Sequence, residues 1–204
     1  MNAQQILDSA EFKKCADFHG HVCPGLSIGY RAAKAGMTWL KENRSIDEEI
    51  VAIVETDACS ADAVQVLTGC TFGKGNFIYK DYGKMALTLL SRQSGMGVRL
   101  VLRDRAFALD ETHLALLKKV VSGSADEEEK KNFQALHLRR SCDVLAMPED
   151  ALFVVKPMQM ELPAKAPIEP SEPCSKCGEP TMRTKLEPSD GGRICRGCIN
   201  PSTA

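Results

Sequence analysis

Two absences narrow this chain before any motif is considered. No apolar run approaches the roughly 20 residues that a bilayer-spanning helix needs. The first residues, Met1-Asn2-Ala3-Gln4-Gln5, carry no basic region leading into an apolar stretch. Neither a membrane role nor export is expected, and the protein is read as cytoplasmic. An excess of one charge sign is also missing. Lys and Arg number 26 against 27 Asp and Glu, a net charge of −1, which gives no general pull toward nucleic acid or an anionic membrane. There is no internal repeat. What the chain does have is cysteine: nine, an odd number, with four of them in Cys-x-x-Cys pairs. In a reducing compartment that pattern favours metal ligation over disulfides. The 204 residues, 44% apolar, suffice for one ordinary core and a small appendage.

The chemistry is densest at His19-Gly20-His21-Val22-Cys23-Pro24-Gly25. Two imidazoles and a thiol stand at alternate positions, followed by a proline suited to the first turn of a helix. In an extended segment alternate side chains sit roughly 6.6 Å apart, whereas donors on one zinc must come within about 2.0–2.3 Å of the ion. The three bind one metal only if the chain bends, and Gly20 and Gly25 make bending cheap. The bland alternative is two satisfied histidines and a buried thiol, but their density favours the metal.

A second stretch, Thr56 to Asn76, has to complete such a site. It follows an apolar run, Ile50 to Val54, that reads as a buried strand. Cys59 then lies where that strand ends, beside Ser60 as a helix cap. Thiols near helix starts ionise more readily, and thiolate is the metal-binding form. Cys70, between Gly69 and a Gly-Lys-Gly turn, is the other candidate. His21, Cys23 and Cys59 are the first-choice ligands, with His19 and Cys70 as alternates. Fewer than four protein ligands would leave a position for water or a small molecule. Asp62 is read as a carboxylate orienting a ligating histidine, or only as a helix-start acid. Gly73-Lys74-Gly75-Asn76 can form an anion nest but lacks the longer P-loop pattern, so a plain turn is preferred, with Lys74 facing the cleft. Cys59 and Cys70 also form a candidate redox pair, which would make this a thiol redox protein. Cys15 and Cys142 are read as structural, and His113 and His137 as surface or helix-packing residues.

In chain order, the pattern predicts a helix over residues 3–17 and a second from Pro24 to about Glu42. A strand follows over 50–56 and a short helix near 62–67. Residues 77–82 and 85–91 are expected to pair as a hairpin about Gly83-Lys84, with a third strand at 98–103. Two helices, 110–121 and 125–140, and a closing strand over 151–160 complete the core. This is an α+β class, a mainly antiparallel sheet packed with helices. Residues 1–160 form the core domain. Residues 161–173, holding Pro163, Pro167, Pro170 and Pro173, form an extended linker.

Residues 174–204 form the appendage. Cys174-Ser175-Lys176-Cys177, seventeen residues, then Cys195-Arg196-Gly197-Cys198 is the spacing of a closed, tetrahedral, structural zinc site. Some thirty residues cannot build a stable core without such a cross-link. Five Lys or Arg against three Asp or Glu follow from Cys174 onward, and a zinc held by four thiolates carries about −2, so the surplus cancels. Contact with protein, or cover for the core, is expected there rather than contact with nucleic acid.

The residues Phe18-His19-Gly20-His21-Val22-Cys23-Pro24-Gly25, Asp62-Ala63-Val64-Gln65 and Thr68-Gly69-Cys70-Thr71-Phe72-Gly73-Lys74-Gly75-Asn76 resemble the FmdE family, named for the E component of formylmethanofuran dehydrogenase. The likeness runs from about Phe12 to Met160. The tail resembles the treble-clef zinc fingers, of the DksA/TraR kind, that accompany some members. The resemblance implies an accessory metal-binding protein of a methanogenesis-related family, a homodimer with an α+β core. It does not imply the dehydrogenase, whose catalytic pterin of molybdenum or tungsten lies on other components. The core metal is zinc or another transition metal and the tail metal zinc. The alternative role is an adaptor or assembly factor for a molybdenum or tungsten oxidoreductase. Whether the chain is an enzyme is left open.

Overall fold

The structure is a computed structural model that describes residues 1–200; the last four residues of the expected finger lie outside the described range. The chain divides into two compact units, Met1–Lys165 and a second beginning at Ala166, and each is described by itself.

The first unit begins with two helices, α1 (Ala3–Leu7) and α2 (Ala10–His19), where the sequence pattern predicts one. Ser9 breaks the run: its Oγ accepts from the Phe12 N–H, capping α2, the local bonding that makes serine a helix starter. α3 (Pro24–Leu40) carries proline in its first turn and a broad apolar face. β1 (Ile50–Val54), α4 (Ser60–Thr68), β2 (Phe77–Tyr79), β3 (Ala86–Ser91) and β4 (Gly97–Leu102) follow. Then come α5 (Glu111–Val121), α6 (Glu127–Ala146), α7 (Glu149–Leu152) and β5 (Phe153–Met158).

The sheet order is β2-β1-β3-β4-β5. The expected hairpin about Gly83-Lys84 does not form. β2 pairs parallel to β1, with Ala52 opposite Phe77, while β1 and β3 pair antiparallel. The reason lies in β1, five consecutive apolar residues buried on both faces. Such a strand belongs in the sheet interior, so it takes the place between β2 and β3. The remaining pairs are antiparallel, as the α+β reading expects.

Ile50, Ala52 and Val54 face the main core, which includes Ile28 and Ala32 of α3, Val64 of α4 and Leu89 and Leu100 of the sheet. Val51 and Ile53 face the opposite side with Leu90, packed by Met158 and Leu162. A smaller cluster beside the main core joins Ile6, Phe12, Cys15, Cys23, Leu26 and Tyr30. α3 and α4 approach closely at Gly29, where an added Cβ would lie 2.2 Å from the Ser60 carbonyl oxygen.

The second unit contains β6 (Ser171–Pro173) paired with β7 (Pro180–Met182), a 3-10 turn (Arg183–Lys185), the hairpin β8 (Leu186–Ser189) and β9 (Gly192–Cys195), and α8 (Arg196–Ile199). A Cys-x-x-Cys turn, a hairpin and a helix in that order are the parts of a small treble-clef zinc finger. Among the described residues no helix is long and apolar enough to cross a membrane.

Candidate metal centres

The first centre is built at the corner between α2 and α3. α2 ends at His19, and Gly20, at φ +91°, reverses the chain, a conformation a side chain would oppose. Gly25 contributes no bend, since it lies within α3. Cys23 is the N-terminal cap of α3: its Sγ accepts from the Leu26 N–H at 3.3 Å. Thus a histidine at one helix end and a thiol at the next helix start face each other across one tight corner. Donor atoms of His19, His21 and Cys23 all lie within 4.8 Å of one another. His19 is half-buried, His21 exposed and Cys23 buried.

The geometry can be tested against a metal. Zinc bonds of about 2.05 Å to nitrogen and 2.3 Å to sulfur, at a tetrahedral angle, put the two donors about 3.6 Å apart. His19 Nε2 and Cys23 Sγ are 3.6 Å apart. The other nitrogen, His19 Nδ1, lies 2.7 Å from Asp62 Oδ2, so the carboxylate fixes the tautomer that leaves Nε2 free for an ion. Asp62→Asn is expected to weaken the ion at this corner about 10- to 100-fold without changing the finger's ion. Competition against a chromophoric chelator reads this, and an unchanged affinity would remove Asp62 from the site.

Cys59, immediately before α4, flanks the group without joining it. An added Cβ at Gly25 would lie 3.6 Å from Cys59 Sγ and 3.9 Å from Cys23 Sγ, so the two thiols face each other across the start of α3. Burial pushes the Cys23 thiol up to about 11, with Cys59 adding to the rise and the Leu26 N–H opposing it. A protonated thiol there becomes a ligand only when a cation displaces its proton.

Two other candidates go elsewhere. Cys70 lies past the far end of α4, and its thiol donates to the Ile50 carbonyl at 3.3 Å inside the main core. α4 separates it from Cys59 by nine residues of helix, about 14 Å. A disulfide needs α-carbons within about 7 Å, so the two do not form a redox pair, and Cys70 is a core residue. Lys74 does not face a cleft. Its ammonium donates to the carbonyls of Ile46 (2.7 Å), Gly69 (3.0 Å) and Ser45 (3.5 Å). Asn76 completes the same clamp by donating to Asp47 and Ile50 carbonyls. The Thr68–Asn76 motif therefore ties down the loop before β1, with the Lys74 ammonium and the Asn76 amide both turned to backbone carbonyls.

Two histidines that the sequence placed as surface or helix-packing residues do pack between helices, and what the sequence did not show is that they pair beside the first centre. His113 on α5 is 2% exposed, and its Nε2 lies 2.7 Å from His137 Nδ1 on α6. Burial holds both imidazoles below their ordinary value, with His113 and His21 adding to the effect at His137. His137 and His21 line one cleft. The available signal was spacing: His113 with Leu117, and Phe133 with His137, each share a helix face at i, i+4.

The second centre joins Cys174 and Cys177, before β7, to Cys195 at the end of β9 and Cys198 on α8. The four sulfurs lie within 4.8 Å of one another. The Cys174–Cys198 and Cys177–Cys195 separations are both 3.9 Å, against about 3.8 Å for the edge of a zinc–thiolate tetrahedron. Backbone N–H groups of Cys177 and Cys195 hold the Cys174 thiol down at about 6, while neighbouring thiols, Cys195 first, push Cys198 up to about 12. Four sulfurs so close cannot all ionise without a cation among them.

Comparison with known proteins agrees with this architecture. A probable S-adenosyl-L-methionine-binding protein of Archaeoglobus fulgidus is 34% identical over 192 residues, 91% of this chain and 51% of the relative. The chain thus spans about half the length of that curated relative. The crystal structure of a tungsten formylmethanofuran dehydrogenase FmdE-like protein from Syntrophus aciditrophicus superposes with a TM-score of 0.61 at 22% identity. That match covers 99% of this chain and 94% of the other, a likeness of fold. Residues 18–154, which hold the corner centre and four of the five sheet strands, match the family model described as FmdE, Molybdenum formylmethanofuran dehydrogenase operon. This chain, with two Cys/His groups able to hold metal ions, belongs to the FmdE family.

Proposed function

We propose that this chain is a cytoplasmic, metal-binding accessory protein whose corner centre holds zinc or another transition ion through His19, His21 and Cys23. Cys59 stands beside the remaining position, which is open to a small molecule. The observation that carries this reading is the 3.6 Å separation of His19 Nε2 and Cys23 Sγ with Asp62 behind the imidazole. An ion with an open position would polarise a bound carbonyl or lower the pKa of bound water toward 7. The finger's ion, zinc in this reading, is structural. The name of the Archaeoglobus relative makes S-adenosyl-L-methionine the first small molecule to try.

Elemental analysis of the purified full chain is expected to give two ions per chain. His21→Ala or Cys23→Ser should remove one and Cys174→Ser the other. A single ion, removed wholly by Cys174→Ser, ends this reading.

A second reading makes the chain a homodimeric adaptor for a molybdenum or tungsten oxidoreductase, with the finger touching the partner. It is favoured by the family, whose model is described by a molybdenum formylmethanofuran dehydrogenase operon. The same preparation separates the two: copurification of a large oxidoreductase that is lost on deleting residues beyond Pro163 supports the adaptor, and clean isolation without one opposes it.

A further inference from the structure

Beside the corner centre, the His21-Val22 segment and the α5–α6 hairpin enclose a cleft of about 610 Å3, within the range that holds a drug-sized molecule. Its walls are mainly apolar: Val22, Leu117, Val120 and Phe133. Lys130 at its edge is paired with Glu127 at 2.7 Å. The polar groups left over are Gln134 and two imidazoles, His21 from the corner centre and His137 from α6.

His137 is held in place. Its Nδ1 is engaged by buried His113 at 2.7 Å, and its ring packs 4.4 Å from the Phe133 ring, centroid to centroid. Nε2 is then the nitrogen with no hydrogen-bond partner among the described residues. The pair shares one N–H. If His113 donates it, His137 carries its own proton on Nε2 and is a donor; if His137 donates it, Nε2 is an acceptor. A fixed imidazole that can present either face of a hydrogen bond, inside an apolar cleft and next to a candidate ion, is the arrangement of a binding residue.

We infer that His137 is a ligand-contacting residue, and that the cleft takes an aryl or heteroaryl compound with a metal-coordinating oxygen or sulfur terminus. The ring body lies against Phe133, Leu117 and Val120, Nε2 of His137 bonds a polar atom between body and terminus, and the terminus reaches the ion at His19, His21 and Cys23. The contact of the terminus rests on the proposed metal centre; the contact with His137 does not.

The test uses the zinc-loaded full chain and two probes of the same coordinating group, benzohydroxamate and acetohydroxamate. Calorimetry is expected to show benzohydroxamate binding at least tenfold tighter. His137→Ala should lose at least tenfold for benzohydroxamate with zinc content unchanged, and His137→Gln, which keeps a hydrogen-bonding amide, should recover part of it. Nitrogen-15 spectra of the imidazoles should show the His137 Nε2 resonance moving as benzohydroxamate binds. Equal affinities for the two probes, or an unchanged affinity in both His137 variants with two zinc ions present, overturns the inference and leaves the metal centre standing. If only one zinc is present, the metal reading has failed, and the His137 resonance decides alone: a shift supports the cleft and no shift overturns it.

Discussion

Cys174→Ser is expected to unfold the second unit from Ala166 onward while the first keeps its fold. Among its described residues only Cys174 and Leu186 are buried, so no apolar core stands behind the sulfurs. Its short strands and single turn of helix cannot hold themselves together. The free energy of zinc binding in such fingers, roughly 10–16 kcal/mol, is then the folding free energy. Serine cannot replace a thiolate, and the three remaining sulfurs leave the tetrahedron open. Amide spectra should show residues 166–200 collapsing to random-coil positions with one ion lost, and a strong chelator should do the same to the unaltered chain. Dispersed resonances from that unit in metal-free Cys174→Ser would mean that the cross-link is not what folds it.

Gly29→Ala should have the second largest effect, and on the other unit. The added Cβ would meet Ser60 O at 2.2 Å, Ser60 Cα at 2.6 Å and Ser60 C at 2.8 Å. All three are backbone atoms, so no side chain can swing aside. Overpacking of this kind typically costs up to about 3 kcal/mol, and more where backbone must move. The relief available is for α4 to slide away from α3, carrying Cys59 and Asp62 with it. Loss of the first unit's thermal stability is therefore expected together with weaker metal at the corner centre. Ala32→Gly, a nearby change on α3 with no clash, should leave the corner ion's affinity near that of the unaltered chain. Equal stability of Gly29→Ala and the parent would show that the helices have room to separate.

How far the sequence could be read depended on whether the signal was local. The four-cysteine spacing, the helix from Pro24 and the buried run Ile50–Val54 are local patterns, and each appears as such in the fold. The His19-x-His21-x-Cys23 group was also legible, but not how it closes. The pivot is Gly20 as a helix end, not a bend shared with Gly25. Strand pairing was misread because Gly83-Lys84 does mark a turn, with Gly83 at φ +63°, while what separates β2 from β3 is a strand from much earlier in the chain. Cys70 looked like a ligand by composition, yet α4 carries it to the wrong end. His113 and His137 do pack between helices, as the sequence allowed, but their pairing was not legible, because the packing of two helices brings together residues 24 apart in the chain.

The α5–α6 hairpin has a consequence for kinetics. α5 rests mainly on α6, and His113 is its single buried residue, so one wall of the cleft is among the least anchored parts of the first unit. Such elements open locally at a small fraction of the global unfolding free energy. A molecule entering beside His137 is then expected to need the α5 wall seated, so its apparent affinity scales with the seated fraction. Occupancy would return that loss by slowing the hairpin's amide exchange, which makes protection of residues 111–137 a gauge of binding that requires no knowledge of the reaction.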